Sequence, residues 1–186
     1  MYPGKRLVDI LFSVIGIIFF SPVWLVMSIL ILLIDGRPVL FSQERAGKEQ
    51  ERITVLKFRT MTDDRKITRT GDWIRKTGLD ESLQFLSVIN GDMSLIGPRP
   101  LTAKDIEKLG WNVGWLNWRW SVKPGITGYA QLFEPLANKR SLAKDRYLIK
   151  YGSALGDVGI LAMTFLFNFV GKHRGRQFLS WHRMNK

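Results

Sequence analysis

Hydrophobic positions are concentrated at the start of the chain. Ile10 to Ile34 is a run of 25 residues without a charged side chain, longer than the ~20 needed to cross a bilayer core. It is too long for a signal peptide, and no small-residue cleavage site follows it. Ser21-Pro22 sits at its middle. An interior proline removes a helix hydrogen bond and kinks the helix, and a neighbouring serine can re-satisfy the freed carbonyl. Each half, at ~1.5 Å per residue, reaches only ~18 Å, short of a ~30 Å core. Both flanks are basic, with Lys5 and Arg6 before the run and Arg37, Arg45 and Lys48 after it. The positive-inside rule then wants both ends on the cytoplasmic side. Two readings follow from the pattern: a kinked span, or a bent re-entrant helix that enters and leaves one leaflet. Asp9 is expected to pair with Arg6 or to favour the helix N-terminus.

Beyond the turn at Asp35-Gly36-Arg37-Pro38, Val39 to Phe41 and Ile53 to Phe58 predict strands of a hairpin around a polar loop, Gln43 to Arg52. Alternation puts Lys57 and Arg59 on one side of the second strand and Phe58 toward the core. A solvated strand face is the simpler account of those cations. Thr62 to Thr70 has no apolar period and predicts a loop. Two helices are expected next, one capped by Asp72 and running to Thr77, the other from Asp80 to Val88. Trp111, Trp115 and Trp118 have i, i+4, i+7 spacing and predict one helical face, with Trp120 close by. Indoles favour membrane–water interfaces, and next to a membrane segment that outweighs a buried cluster. Lys123 to Tyr129 predicts a turn whose glycines admit close backbone approach to a ligand. Val158 to Val170, 13 uncharged residues, is too short to span and predicts a buried or interfacial helix.

Composition adds charge. With 28 basic and 16 acidic residues among 186, the net charge is +12, so an anionic partner is expected: nucleic acid, a membrane surface or a phosphorylated small molecule. One domain, with or without an appended segment, fits the length. Without cysteine, disulfides and thiolate chemistry are excluded. Arg140, Lys144, Arg146 and Lys150 form a basic stretch around Asp145. The tail from Lys172 to Lys186 is basic too. Beside a membrane segment this charge suits lipid headgroups better than nucleic acid. His173 and His182 in that tail are expected to face solvent.

Arg75 to Pro100 carries the chemistry. Asp80 and Glu81 are adjacent carboxylates between Arg75 and Arg99. Such a pair suits Mg²⁺, which takes one or two carboxylates and completes its shell with water and substrate phosphate. Arginine forks suit phosphate oxygens. Pro98 and Pro100 restrict the backbone around Arg99, which suits pre-organised anion binding, and a surface turn whose arginine points to water is an equal alternative. For Asp80 a helix cap remains the bland alternative. No P-loop, zinc-protease His pair, serine elbow or dinucleotide fingerprint is present.

Five pieces in order resemble the bacterial sugar transferase family, the small monotopic phosphoglycosyl transferases. They are the apolar segment with Ser21-Pro22; Lys57 to Met61; Arg75 with Leu79-Asp80-Glu81; Gly91 to Ser94 leading into Gly97-Pro98-Arg99-Pro100; and Lys123 to Gln131. The resemblance implies an α+β, mostly helical fold. A re-entrant membrane helix would occupy residues 1–36. A small cytosolic α/β catalytic domain with amphipathic interfacial helices would occupy 37–186. It implies transfer of a phosphosugar from a UDP-sugar to polyprenyl (undecaprenyl) phosphate at the cytosolic face of the bacterial inner membrane, the first membrane step of glycoconjugate synthesis. Asp80 would be the nucleophile and UMP the leaving group. Glu81 would help hold Mg²⁺ or manage a proton, and Arg75 and Arg99 would brace phosphates, with Lys57 and Arg59 as weaker candidates. Asp145 matches a late acidic position of the family without an assigned role. Membrane lipid is the implied partner, nucleic acid is not, and a homodimer is one option for assembly. Three departures stand out: Ser82 after the acidic pair, Leu132-Phe133-Glu134-Pro135 after Gln131, and the tryptophan-rich insert. Nucleotide or sugar recognition that the family places just after Gln131 would pass here to Lys139 or Arg140. Without the large N-terminal portion of longer members, the minimal catalytic form is expected. A non-catalytic lipid-binding adaptor and a nucleotide-sugar hydrolase are the competing readings.

Overall fold

The computed structural model describes residues 2–134 and 137–170. Pro135 and the basic tail, with its two histidines, lie outside the described residues. The first element, α1 (Lys5–Ile34), is one helix of 30 residues that runs through Pro22. At ~1.5 Å per residue it extends ~45 Å. Pro22 leaves the Ile18 carbonyl without its helical donor. The Ser21 hydroxyl donates to that carbonyl at 3.0 Å, so the Ser-Pro pair repairs the bond that the proline removes.

Both ends of α1 are fastened to the rest of the chain. Asp9, buried, accepts from the Ser94 hydroxyl at 2.9 Å and the Leu95 amide at 3.1 Å. Its ion-pair partner is Lys5, which also reaches Asp157 at 3.0 Å. Arg6, the partner expected from sequence, instead donates to the carbonyls of Val88 and Ile89. A cation suits that position because those carbonyls close a helix C-terminus. At the other end, the Asp35 carboxylate accepts from the amides of Arg69 and Thr70 and from the Thr70 hydroxyl. Burial would raise its pKa, but the Thr70 and Thr68 hydroxyls and the two amides outweigh that and hold it below the usual range. Arg59 closes the last turn by donating to the carbonyls of Asp35 and Gly36 at 2.7 and 2.8 Å. Between these latches Met27 and Ile31 are buried with Phe58, Ile74 and Leu83. Each such side chain contributes roughly 1.5–3 kcal/mol. The opposite face, including Leu11, Ile18, Phe19, Leu25 and Leu33, is exposed.

A hairpin follows: β1 (Leu40–Ala46) and β2 (Arg52–Phe58) pair antiparallel with Leu40 opposite Phe58 and Ala46 opposite Arg52. The predicted polar loop is therefore shorter, because Gln43 to Ala46 join the ladder. Their polar side chains are tolerated in a two-stranded ribbon with solvent on one side. The next helices are α2 (Gly71–Thr77) and α3 (Gln84–Asn90), with a 3₁₀ turn, Leu79–Glu81, between them. Thr70, not Asp72, precedes α2, and Asp72 pairs along the helix with Lys76. Asp80 does not start α3, whose cap position is Leu83.

A short parallel pair, β3 (Ser94–Ile96) and β4 (Gly125–Thr127), was not apparent in the sequence. It corrects the reading of Lys123 to Tyr129 as an open turn. A Cβ on Gly125 would lie 2.1 Å from the Gly97 amide nitrogen, and one on Gly128 would lie 2.2 Å from the Gly97 carbonyl. Those glycines allow backbone to approach backbone, not ligand. The remaining helices are α4 (Ala103–Leu109), α5 (Asn117–Trp120), α6 (Tyr129–Phe133), α7 (Lys139–Tyr151) and α8 (Ala154–Val170). The expected apolar helix is α8: Ile160 and Phe167 enter the core while Leu155, Val158, Phe165 and Leu166 face outward.

The tryptophans do not share a helical face. Trp111 lies in a loop, Trp115 in a 3₁₀ turn and Trp118 in α5. Trp111 and Trp120 are buried with Leu101, Ile106 and Leu116, and Trp115 is exposed. The interface expectation fails for the two buried indoles because Arg119 sits between them as a buried cation, 5.2 Å from the Trp111 ring and 4.7 Å from Trp120.

Candidate active site

The acidic pair is carried on a 3₁₀ turn between α2 and α3. Gly78 closes α2 in the left-handed region, φ 72°, a conformation that glycine adopts at little cost. The chain then makes the 3₁₀ turn, in which the Glu81 amide donates to the Gly78 carbonyl at 3.3 Å and the Ser82 amide to the Leu79 carbonyl at 3.2 Å. Leu79 and Leu83 on either side pack against Met27, Ile31 and Phe58. Hydrophobic anchors thus flank Asp80 and Glu81, whose own side chains stay half-buried. Ser82 takes part as well. It accepts from the Trp24 indole N–H at 2.8 Å and donates to the Leu79 carbonyl at 2.7 Å. The residue that departs from the family pattern is the polar link between α1 and the acidic turn.

Lys57 on β2 reaches Glu81 at 2.7 Å. That pairing lifts Lys57 above the solvated-strand account. Arg59, two residues on, is committed to the end of α1. Arg75 is exposed at the last turn of α2. Arg99 is exposed, between a buried Pro98 and a half-buried Pro100. In the sequence Arg45 on β1 reads only as part of the basic flank of the apolar run, not as a site residue. Burial lowers its pKa, and the charges of Asp105, Arg99 and Glu81 all act on it. It touches the Pro-Arg-Pro turn directly and also feels the charge of Glu81. Its Nη1 donates to the Pro100 carbonyl at 3.2 Å and lies 3.5 Å from Asp105. The only available signal was its place in a hairpin leading to Lys57.

The carbonyls of the Pro-Arg-Pro turn are held in sequence. The Gly125 amide donates to Pro98 at 2.9 Å, Arg119 to Arg99 at 2.9 Å, and the Ala46 amide to Leu101 at 2.8 Å. Arg119 also pairs with Asp145 at 3.0 Å. Burial pushes the Asp145 carboxyl up to about 6 against the opposing pull of Arg119. Glu134 pairs with Lys144 at 2.6 Å, and its hydrogen bond from that lysine is the main reason its pKa is lowered. Lys139 and Arg140 are exposed at the first turn of α7.

Among the described residues no cluster of three acidic or imidazole side chains is present. The acidic turn offers two adjacent carboxylates, Asp80 and Glu81. Two carboxylates suit Mg²⁺, which retains water and takes phosphate oxygens, but they do not suit a closed all-protein cage. What the arrangement offers chemically is a half-buried carboxylate, a second carboxylate tied to a lysine, and exposed arginines fixed on rigid backbone.

Comparison with known proteins points the same way. The model of the bacterial sugar transferase family matches residues 2–171. A UDP-N-acetylgalactosamine-undecaprenyl-phosphate N-acetylgalactosaminephosphotransferase from Aeromonas hydrophila is 37% identical over 178 residues, 86% of this chain and 42% of its own length. A UDP-glucose:undecaprenyl-phosphate glucose-1-phosphate transferase from Escherichia coli K12 is 32% identical over 188 residues, 90% of this chain and 40% of its own. An uncharacterized sugar transferase from Bacillus subtilis is 35% identical over 173 residues, 86% of this chain and 84% of its own. The chain spans about two fifths of the length of the first two relatives.

Proposed function

Since the chain belongs to the bacterial sugar transferase family, we propose that it moves a phosphosugar from a UDP-sugar to undecaprenyl phosphate, with Asp80 as the covalent nucleophile. The observation that carries this reading is the placement of the acidic turn. Asp80 is half-buried, anchored by Leu79 and Leu83, and linked through Ser82 to Trp24 of the apolar helix. One carboxylate can there meet a soluble nucleotide and an embedded lipid.

In the first step an Asp80 carboxylate oxygen bonds to the phosphorus that carries the sugar. The bond from that phosphorus to the bridging oxygen breaks, and its electron pair leaves with UMP. In the second, a phosphate oxygen of the polyprenyl phosphate bonds to the same phosphorus and Asp80 leaves, giving polyprenyl diphosphate sugar. A carboxylate nucleophile splits one hard displacement into two easier ones. Lys57 holds Glu81 beside the nucleophile. Arg99 and Arg75 bind phosphate oxygens, and Arg45 adds positive potential between them and the acidic pair. Mg²⁺, held by Asp80 and Glu81, would supply neutralisation of phosphate charge.

The helix α1 is proposed to be re-entrant. Asp9 and Asp35 tie its two ends to one domain, so a helix crossing the bilayer would have to drag that domain into the hydrocarbon. The site would face the cytosol at the inner membrane, where nucleotide sugars are available. Asp80→Asn is expected to abolish UMP release from UDP-sugar, undecaprenyl phosphate and Mg²⁺ while leaving circular dichroism unchanged. An active Asp80→Asn protein would refute the assignment. UMP release with free sugar phosphate and no lipid product would mark a hydrolase instead.

A further inference from the structure

Arg119 and Asp145 are each 2% exposed. A buried ion pair of this kind adds little stability over apolar residues of the same volume, so its presence calls for another use. The bonds of Arg119 indicate which. Its Nε donates to Asp145 Oδ2 at 3.0 Å and its Nη2 to the carbonyl of Arg99 at 2.9 Å, while Trp111 and Trp120 pack over the guanidinium. The carbonyl it holds belongs to the one cationic residue of the Pro98–Pro100 turn. Its neighbours at Pro98 and Leu101 are held by backbone amides, and Pro100 by Arg45. Proline fixes the backbone on both sides of Arg99. What remains to be set is the peptide plane that starts at the Arg99 carbonyl, and a buried side chain sets it. Asp145 Oδ1 is buried without a hydrogen-bond partner among the described residues, and the residue lines a cavity of about 10 Å³ together with Arg99, Gln131 and Ser141. That space is about the size of one water molecule.

We propose that Arg119, neutralised by Asp145 and packed between Trp111 and Trp120, is a positioning residue that sets the backbone of Arg99 and so the point at which its guanidinium meets substrate phosphate. The inference rests on the phosphate role proposed for Arg99. Lysine in place of Arg119 keeps the charge but cannot reproduce two bonds from a planar fork. Asp145→Asn keeps shape and removes the charge that neutralises the fork.

The test is a double-mutant cycle on kcat/KM for UMP release, with UDP binding measured in parallel by calorimetry. Arg99→Ala, Arg119→Lys, Asp145→Asn and the pairwise combinations with Arg99→Ala are compared, each checked for wild-type circular dichroism. A residue acting through Arg99 shows strong coupling in such a cycle. The expectation is a loss of about 10-fold or more for Arg119→Lys or Asp145→Asn alone, shrinking to less than about 3-fold when Arg99 is already alanine. Equal losses in both backgrounds overturn the inference, because a purely structural pair would be additive. If neither single variant folds, the pair is a stability element and the inference is likewise overturned. A wild type that neither turns over nor binds UDP overturns the functional reading itself, a result distinct from an additive cycle in an active protein.

Discussion

Lys57 and Glu81 meet at 2.7 Å, yet Glu81 is 39% exposed in its side chain. The Lys57 side chain is 19% exposed, so the pair is open to water on its Glu81 side, and a pair of this kind contributes about 1 kcal/mol. Lys57→Met is therefore expected to leave thermal unfolding in detergent nearly unchanged while lowering turnover by at least about tenfold, since the lost cation orients a group beside the proposed nucleophile. A large fall in melting temperature with preserved turnover would reverse that assignment. Asp145 behaves differently. Its folded-state pKa is raised, mainly by burial, from an ordinary 3.8 to about 6. The folded protein then binds more protons than the unfolded chain between those values, so the stability from this group is fully present below about pH 4 and is lost as pH rises through about 6. Asparagine cannot titrate. The stability of wild type relative to Asp145→Asn should accordingly decline by about 2–3 kcal/mol from pH 4 to pH 7, read by chemical denaturation at each pH. A gap that widens with pH would contradict the buried carboxyl described here.

At the scale of elements, the apolar run, the hairpin and the amphipathic last helix were legible because each has a period that one environment imposes. The Ser21-Pro22 repair was legible too, since proline frees a known carbonyl and serine lies within reach. The parallel β3–β4 pair was not, because three-residue strands leave no period and their contact is made by glycines across about 30 residues of chain. The tryptophan spacing misled for a related reason: the segment breaks into a loop, a 3₁₀ turn and one helical turn, and a buried arginine changes which indoles are wanted inside. For the candidate site, Asp80, Glu81 and Arg99 could be singled out from adjacency and turn chemistry, whereas Lys57 entered only through the family resemblance, because its spacing alone reads as a solvated strand face. Arg45 could not, because only folding brings β1 beside the Pro-Arg-Pro turn. The membrane helix makes its own prediction. Asp9 and Asp35 fasten its ends to one body, so single cysteines placed at Gly4 and Arg37 of this cysteine-free chain should react with an impermeant maleimide from the same side of sealed inner-membrane vesicles. Labelling from opposite sides would establish a span.

At the scale of the whole molecule, an exposed apolar face on α1 and α8 and a net charge of +12 fit a protein bedded on an anionic bilayer. The acidic turn is bonded to that same α1 through Trp24, so in the proposed function the depth of α1 in the bilayer would set the level of the chemistry at Asp80. The covalent role of Asp80 is the claim on which the catalytic account turns. It is tested most directly by intact-protein and peptide mass spectrometry after incubation with a panel of UDP-sugars and Mg²⁺, with lipid acceptor withheld. One phosphosugar adduct is expected on the peptide that contains Asp80, matched by one UMP released and discharged when undecaprenyl phosphate is added. UMP released in step with lipid-linked product, with no adduct on that peptide under any of these conditions, would contradict it.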